Sequence, residues 1–200
     1  MNTQRDVNAY VPHDPAGDTA DGALERWEIA SGSRLKFTIR HLVLQQIHGE
    51  FRRWGGTLFL SRDQPALSRI EAWIDLASIA TDSAERDAHV RSAEFLDVER
   101  YPRARFESTA IEPHEGGVTL RGRLHLHGIP HDVDFEIEAP SLTSASPDNT
   151  YSVTGKVDRQ TFGLHWNQDL DVGGVVVGDE IELAAAVRIV HLPYDAARGD

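Results

Sequence analysis

The sequence predicts an all-β domain with one short helical segment, and three observations lead there. From Trp27 onward, apolar and polar residues alternate with a period of two, as in strands with one dry and one wet face. Turn signals cut this alternation into short runs. One long stretch, Thr81 to Pro102, breaks the alternation and carries most of the recognisable side-chain chemistry.

Met1 to Gly22 holds two prolines and one arginine against four aspartates, with little that could pack. It is expected to be a disordered acidic leader over residues 1–24, ahead of a domain over 25–192 and a flexible tail over 193–200. The leader has no apolar run, so no secretory signal is expected there and the expected location is cytoplasmic.

Within the domain, Leu35, Phe37 and Ile39 oppose Lys36, Thr38 and Arg40. Ile70, Ala72, Ile74 and Leu76 repeat the pattern, as do Val118, Leu120, Leu124 and Leu126. Val133, Phe135 and Ile137 alternate with Asp132, Asp134 and Glu136. Val153 and Val157 flank Gly155, and Ile181, Leu183, Ala185, Val187 and Ile189 close the series. Turns are expected at Gly55-Gly56, Gln64-Pro65, Gly116-Gly117 and Ile129-Pro130, with a long loop from Pro140 to Asn149. Eight or nine antiparallel strands result, and this alternation suits a sandwich or a closed barrel equally.

The helical segment is expected around residues 82–96. Asp82 and Glu85 have the spacing of a capping box, and Phe95 and Leu96 anchor the far side. Tyr101-Pro102 then ends the segment before a strand from Arg103 to Ala110. At helical spacing Arg86 and His89 share a face, and Asp87 precedes Arg91 by four residues, the favourable order for an ion pair.

Composition narrows the function. Two hundred residues suit one domain, and an apolar fraction of 40% supplies one core. A mean hydropathy of −0.39 leaves a hydrated surface, and no stretch approaches the ~20 apolar residues of a membrane helix. The net charge of −12 repels phosphate backbones and disfavours docking on anionic membranes, so nucleic acid is not an expected partner. With no cysteine there are neither disulfides nor thiolate sites. No Gly-x-Ser-x-Gly elbow and no phosphate-cradling glycine loop occurs, so no enzymatic turnover and no cofactor are expected.

His125 and His127, with His131 four residues on, form the one metal-like motif, because residues two apart on a strand point the same way. Arg121 and Arg123 share that face and disfavour a divalent ion. A metal-binding protein or metal-dependent enzyme built on these histidines is the alternative function. A third reading is a stress-response interaction module with an empty barrel, whose acidic leader binds the partner.

An ordered set of short matches resembles the YceI-like family. It comprises Phe37 to Leu42, Gly49-Glu50-Phe51, Asp75 to Thr81, Arg86 to Ser92, Phe95 to Val98 and Tyr101-Pro102. Gly122 to Ile129, Arg159 to Leu164 and Val177 to Ile181 complete it, so the resemblance runs from about Trp27 to Ile189. It implies an eight-stranded antiparallel lipocalin-like barrel that holds an isoprenoid lipid, of polyprenyl or isoprenoid-quinone type, and it implies a possible homodimer.

On that basis Arg40, His41, Arg86, His89 and Arg91 are expected at the polar end of the ligand, compensating a negative headgroup. Each also has a purely structural reading: Arg40 on the wet face, His41 capping a turn, and Asp87 pairing with Arg91. Phe37, Ile39, Ile74, Phe106, Leu124 and Phe135 are expected to line the apolar lumen.

Overall fold

A computed structural model describes residues 24–41, 45–61, 63–138, 149–167 and 177–192, with the His41 side chain excepted. The expected leader, apart from Leu24, and the expected tail lie outside these residues. So does the Pro140 to Asn149 loop, apart from Asn149.

Eleven strand segments follow in order: β1 (Glu25–Ile29), β2 (Arg34–His41), β3 (Gln45–Phe51), β4 (Trp54–Leu60), β5 (Arg69–Asp75) and β6 (Ile79–Ala80). After the helix α1 (Ala84–Arg91) come β7 (Arg103–His114), β8 (Gly117–Leu126), β9 (Ile129–Glu138), β10 (Thr150–Asp158) and β11 (Val177–Leu192). Their registers reduce these segments to eight staves. β1 and β2 both run antiparallel to β11, at Ile29 opposite Ile189 and Arg34 opposite Ala186, with the Ala30–Ser33 turn between them. β4 pairs with β1 and β3 with β2, so β3 and β4 form one stave bent at Arg52-Arg53. β5 and β6 form another, pairing with β4 and β3 across a 3-10 turn at Leu76–Ser78.

Each stave pairs with its neighbours in chain order, and β1 with β2 meets β11 to close the ring. The fold is thus a closed eight-stranded antiparallel barrel with one helix, as expected. Closure removes the exposed sheet edges that an open sheet would leave. β11 runs 16 residues because it must face β1, β2 and β10 together. Among the described residues no helix is long and apolar enough to cross a membrane.

Turn chemistry departs from expectation in two places. Gly55 and Gly56 lie inside β4 and make no turn. A Cβ on Gly56 would come within 2.4 Å of the Glu71 carbonyl oxygen, so this glycine permits close backbone approach to β5. The β8–β9 turn is His127-Gly128, two residues before Ile129-Pro130, which belongs to β9. His127 and Gly128 have φ of 52° and 77°, the paired positive values of a two-residue hairpin turn.

The helix cap also shifts by one residue. Ser83, not Asp82, is the N-cap, accepting a hydrogen bond from the Arg86 backbone N–H at 3.2 Å. Only Asp87 of the helix is buried. Its carboxylate accepts from the Thr81 backbone N–H at 2.9 Å and from the Thr81 hydroxyl at 2.7 Å, which ties α1 to the end of β6. The expected Asp87–Arg91 pair is a looser contact of 3.9 Å.

Candidate functional site

Strand alternation aims one face of every stave at the barrel axis, yet the interior is not filled. A cavity of about 630 Å³ occupies it, within the roughly 300–1,000 Å³ usual for ligand pockets. The structure places all six expected lumen residues, Phe37, Ile39, Ile74, Phe106, Leu124 and Phe135, on its wall.

Glycines explain why large aromatic side chains leave the centre open. A Cβ on Gly49 would stand 2.3 Å from the Phe37 ring, one on Gly122 would stand 2.3 Å from Phe106, and one on Gly155 would stand 2.3 Å from Phe135. Each ring therefore occupies the space of a missing side chain on the adjacent stave and lies along the wall. Ala72 and Ala185 line the cavity as well, whereas Ala184 and Ala186 are exposed on the outside of β11.

The two ends of the barrel differ. Trp27, Leu60 and Val118 are buried but stand outside the cavity lining, and they pack the end remote from α1. At the other end the wall turns polar, chiefly through one segment, which contributes Thr81, Ser83, Glu85, Arg86 and His89. Arg86 Nε donates to the Thr81 hydroxyl at 3.1 Å, and its Nη2 donates to the Asp82 carboxylate. His89 Nε2 lies 3.0 Å from a Glu94 carboxylate oxygen, and the His89 ring meets Trp166 edge-on at 4.5 Å. Phe95 completes this rim, 5.9 Å from Trp166 between ring centres.

The remaining expected polar-end residues are not brought to the cavity. Arg91 Nε donates to the Ala77 carbonyl at 3.0 Å and its Nη2 donates to the Ile79 carbonyl, so its guanidinium braces the helix against the β5–β6 stave. Arg40 is exposed on the outer face of β2 and is absent from the lining. His41 pairs through its backbone with Val177 and Gln45, and its side chain lies outside the described residues.

The metal motif does not assemble. β8 ends at Leu126, and His127 takes a left-handed backbone in the turn, so strand parity with His125 is lost. His125 is exposed on the outer wall, His127 packs edge-on against Tyr101 at 4.6 Å, and His131 packs against Phe162 at 5.4 Å. Among the described residues no three histidine, aspartate or glutamate side chains are grouped to hold a metal ion.

Sequence reasoning missed Arg159, whose surroundings hold the rim together. The residue is 0% exposed. Its guanidinium donates to the carbonyls of Gly178 (2.9 Å), Trp166 (2.9 Å), Val177 (3.2 Å) and Leu164, and to the Asp179 carboxylate (3.2 Å). Burial pulls its pKa below the usual arginine value, while Asp179 and Asp158 oppose that shift. It clamps three lining residues, Leu164, Trp166 and Val177, at the end that carries α1. Trp54, beside the expected Gly55-Gly56 turn and open to reading as an interface anchor or a loop residue, was also missed as a wall residue; it lines the cavity from β4.

Comparisons with known proteins agree with this architecture. A family model for the YceI-like domain matches residues 27–189. A UPF0312 protein from Pseudomonas savastanoi pv. phaseolicola is 43% identical over 94 residues, 46% of this chain and 49% of that protein. The chain thus spans about half the length of that curated relative. Among solved structures, BcnA of Burkholderia cenocepacia superposes with a TM-score of 0.67 at 19% identity, covering 81% of this chain and 99% of that one. A polyisoprenoid binding domain from Saccharophagus degradans, implicated in plant cell wall breakdown, superposes with a TM-score of 0.59 at 15% identity, covering 85% and 99%. These two likenesses are of fold.

Proposed function

The chain belongs to the YceI-like domain family, and from that premise we propose that it binds one isoprenoid lipid with the tail inside the barrel. The observation that carries the reading is the size and polarity of the cavity: apolar along most of its wall, polar chiefly where residues 81–89 form the rim. The polyisoprenoid binding domain of Saccharophagus degradans, which shares the fold, supports the same ligand class.

Burial alone supplies the affinity. Each CH₂ withdrawn from water contributes roughly 0.8 kcal/mol, so a five-carbon isoprene unit contributes about 4 kcal/mol before the costs of ordering tail and protein are deducted. Branched isoprene units suit a wall of rings and β-branched side chains. No covalent step is needed, and the protein acts as a holder of its ligand.

The test is native mass spectrometry of the purified full chain, followed by titration of delipidated protein with an isoprenoid quinone. Trp54 and Trp166 line the cavity, so quinone entry quenches tryptophan emission with saturable, one-to-one stoichiometry. A protein that carries no lipid and shows no saturable quenching overturns the reading.

A further inference from the structure

We propose that the rim selects a neutral headgroup that accepts hydrogen bonds and discriminates against an anionic one such as a phosphate ester. The inference rests on the lipid-binding reading of the cavity and specifies the chemistry at its polar end. It also reverses the sequence-based expectation that arginines here compensate a negative headgroup.

The cations at the rim and next to it are already engaged. Arg86 gives Nε to the Thr81 hydroxyl and Nη2 to the Asp82 carboxylate. Arg91 is held by the carbonyls of Ala77 and Ile79, and Arg159 by four carbonyls and Asp179. His89 faces Glu94. Arg105 touches the cavity from β7, and it too has a partner within the protein.

The segment that forms the rim is itself negative. Asp82, Glu85, Asp87 and Glu94 supply four carboxylates, against the two guanidiniums of Arg86 and Arg91, and a protonated His89 leaves the balance negative still. Glu85 itself lines the cavity. A phosphate entering this rim meets like charge from carboxylates on the same segment, and the Arg86 and His89 side chains it would pair with are already shared with Asp82 and Glu94. A carbonyl or hydroxyl group has no such conflict. The Arg86 guanidinium has five N–H donors, and those not directed at Thr81 and Asp82 can serve a neutral acceptor while both contacts stay in place. The net charge of −12 on the whole chain acts in the same direction at longer range.

The experiment compares a polyprenol with its own monophosphate, so that the tail is constant and only the headgroup charge varies. Binding to the full chain is followed by Trp54 and Trp166 fluorescence at low and high ionic strength. The alcohol is expected to bind at least tenfold more tightly at low salt, with the ratio shrinking as salt screens the carboxylates. Asp82→Asn combined with Glu94→Gln, both exposed side chains, is expected to narrow the ratio at low salt. A phosphate that binds as tightly as the alcohol, or more tightly, overturns the headgroup assignment and leaves the lipid-binding reading standing. Failure of both probes to bind overturns the two together.

Discussion

The Phe135 ring covers Gly155. The two residues are register partners on β9 and β10, and a Cβ on Gly155 would stand 2.3 Å from Phe135 Cδ1. The nearest backbone atom to that Cβ is the Asp134 carbonyl oxygen at 3.1 Å, so the conflict is chiefly with the ring. The ring stays against the wall because its partner has no side chain.

Gly155→Ala is therefore expected to drive Phe135 into the lumen. Overpacking of this kind costs about 1–3 kcal/mol, and the cavity shrinks in the region assigned to the tail. The variant should lose stability in a urea titration and bind isoprenoid more weakly. Adding Phe135→Leu should restore both. An alanine variant with unchanged affinity would show that the ring is free to turn elsewhere.

Arg159→Met is expected to destabilise the barrel by roughly 2–4 kcal/mol, because the buried Leu164 carbonyl and the half-buried Trp166 and Gly178 carbonyls lose this donor. Asp179 is 56% exposed in its side chain, so no buried carboxylate is stranded by the change. Binding should weaken more than stability alone predicts, since Leu164 and Trp166 are held by the same guanidinium. Chemical denaturation and tryptophan quenching, run on one preparation, separate the two effects. A methionine variant as stable as the parent would remove the clamp from the account.

Asp87→Ala should cost about 1–3 kcal/mol by leaving the half-buried Thr81 N–H without its charged acceptor. Asp87→Asn keeps an acceptor oxygen and should cost less. Backbone amide exchange is the direct readout: protection at Thr81 and through α1 should fall in the alanine variant while β8 and β11 stay protected. Uniform loss across the barrel would mean that the helix and the wall unfold as one unit.

His114 and Glu136 make an exposed pair at the β7–β8 turn, with His114 Nε2 3.0 Å from a Glu136 oxygen. The His114 pKa is raised, chiefly by its hydrogen bond to the Glu115 carbonyl and then by Glu136. The Glu136 pKa is lowered, first by the Thr119 hydroxyl and then by His114. Stabilisation from the raised histidine is complete below its unfolded-state pKa and is lost as pH rises through the folded value. Stabilisation from the depressed carboxylate is present above the ordinary glutamate range and is lost as pH falls through the folded value. The pair is thus intact between acid and neutral pH. A proton NMR titration should place the His114 midpoint above that of a free histidine, and Glu136→Gln should lower it without returning it fully, because Glu115 remains. A midpoint indifferent to Glu136→Gln would mean that the side chains do not pair in solution.

The wall of the cavity was legible because strand parity is a local property. Phe37, Ile39, Ile74, Phe106, Leu124 and Phe135 occupy the dry positions of their runs, and all six face the lumen. The rim was legible only in part. Arg86 and His89 share a helical face and line the cavity, but Arg91, two residues beyond His89, is drawn away by the carbonyls of Ala77 and Ile79 on a separate stave. Arg159 stood in a matched motif, Arg159 to Leu164, but nothing local announced its burial, since its acceptors come from two segments up to 20 residues away. The glycines misled where they stand for close backbone approach, as Gly56 does, because sequence shows the missing side chain but not the strand that approaches it.

The order of apolar and polar side chains determined by itself that this chain makes antiparallel strands with one dry face, and that residues near 82–96 interrupt them. Both follow from the two-residue repeat of a strand and the wider repeat of a helix, which are set by backbone geometry within a few residues. Only the tertiary structure decided that the strands close into a ring, that the ring is hollow, and that Arg86 and His89 reach its polar end while Arg91 does not. Those properties depend on which ring meets which glycine, and on which carbonyls claim which guanidinium. Such contacts join residues far apart in the chain, and no local repeat encodes them.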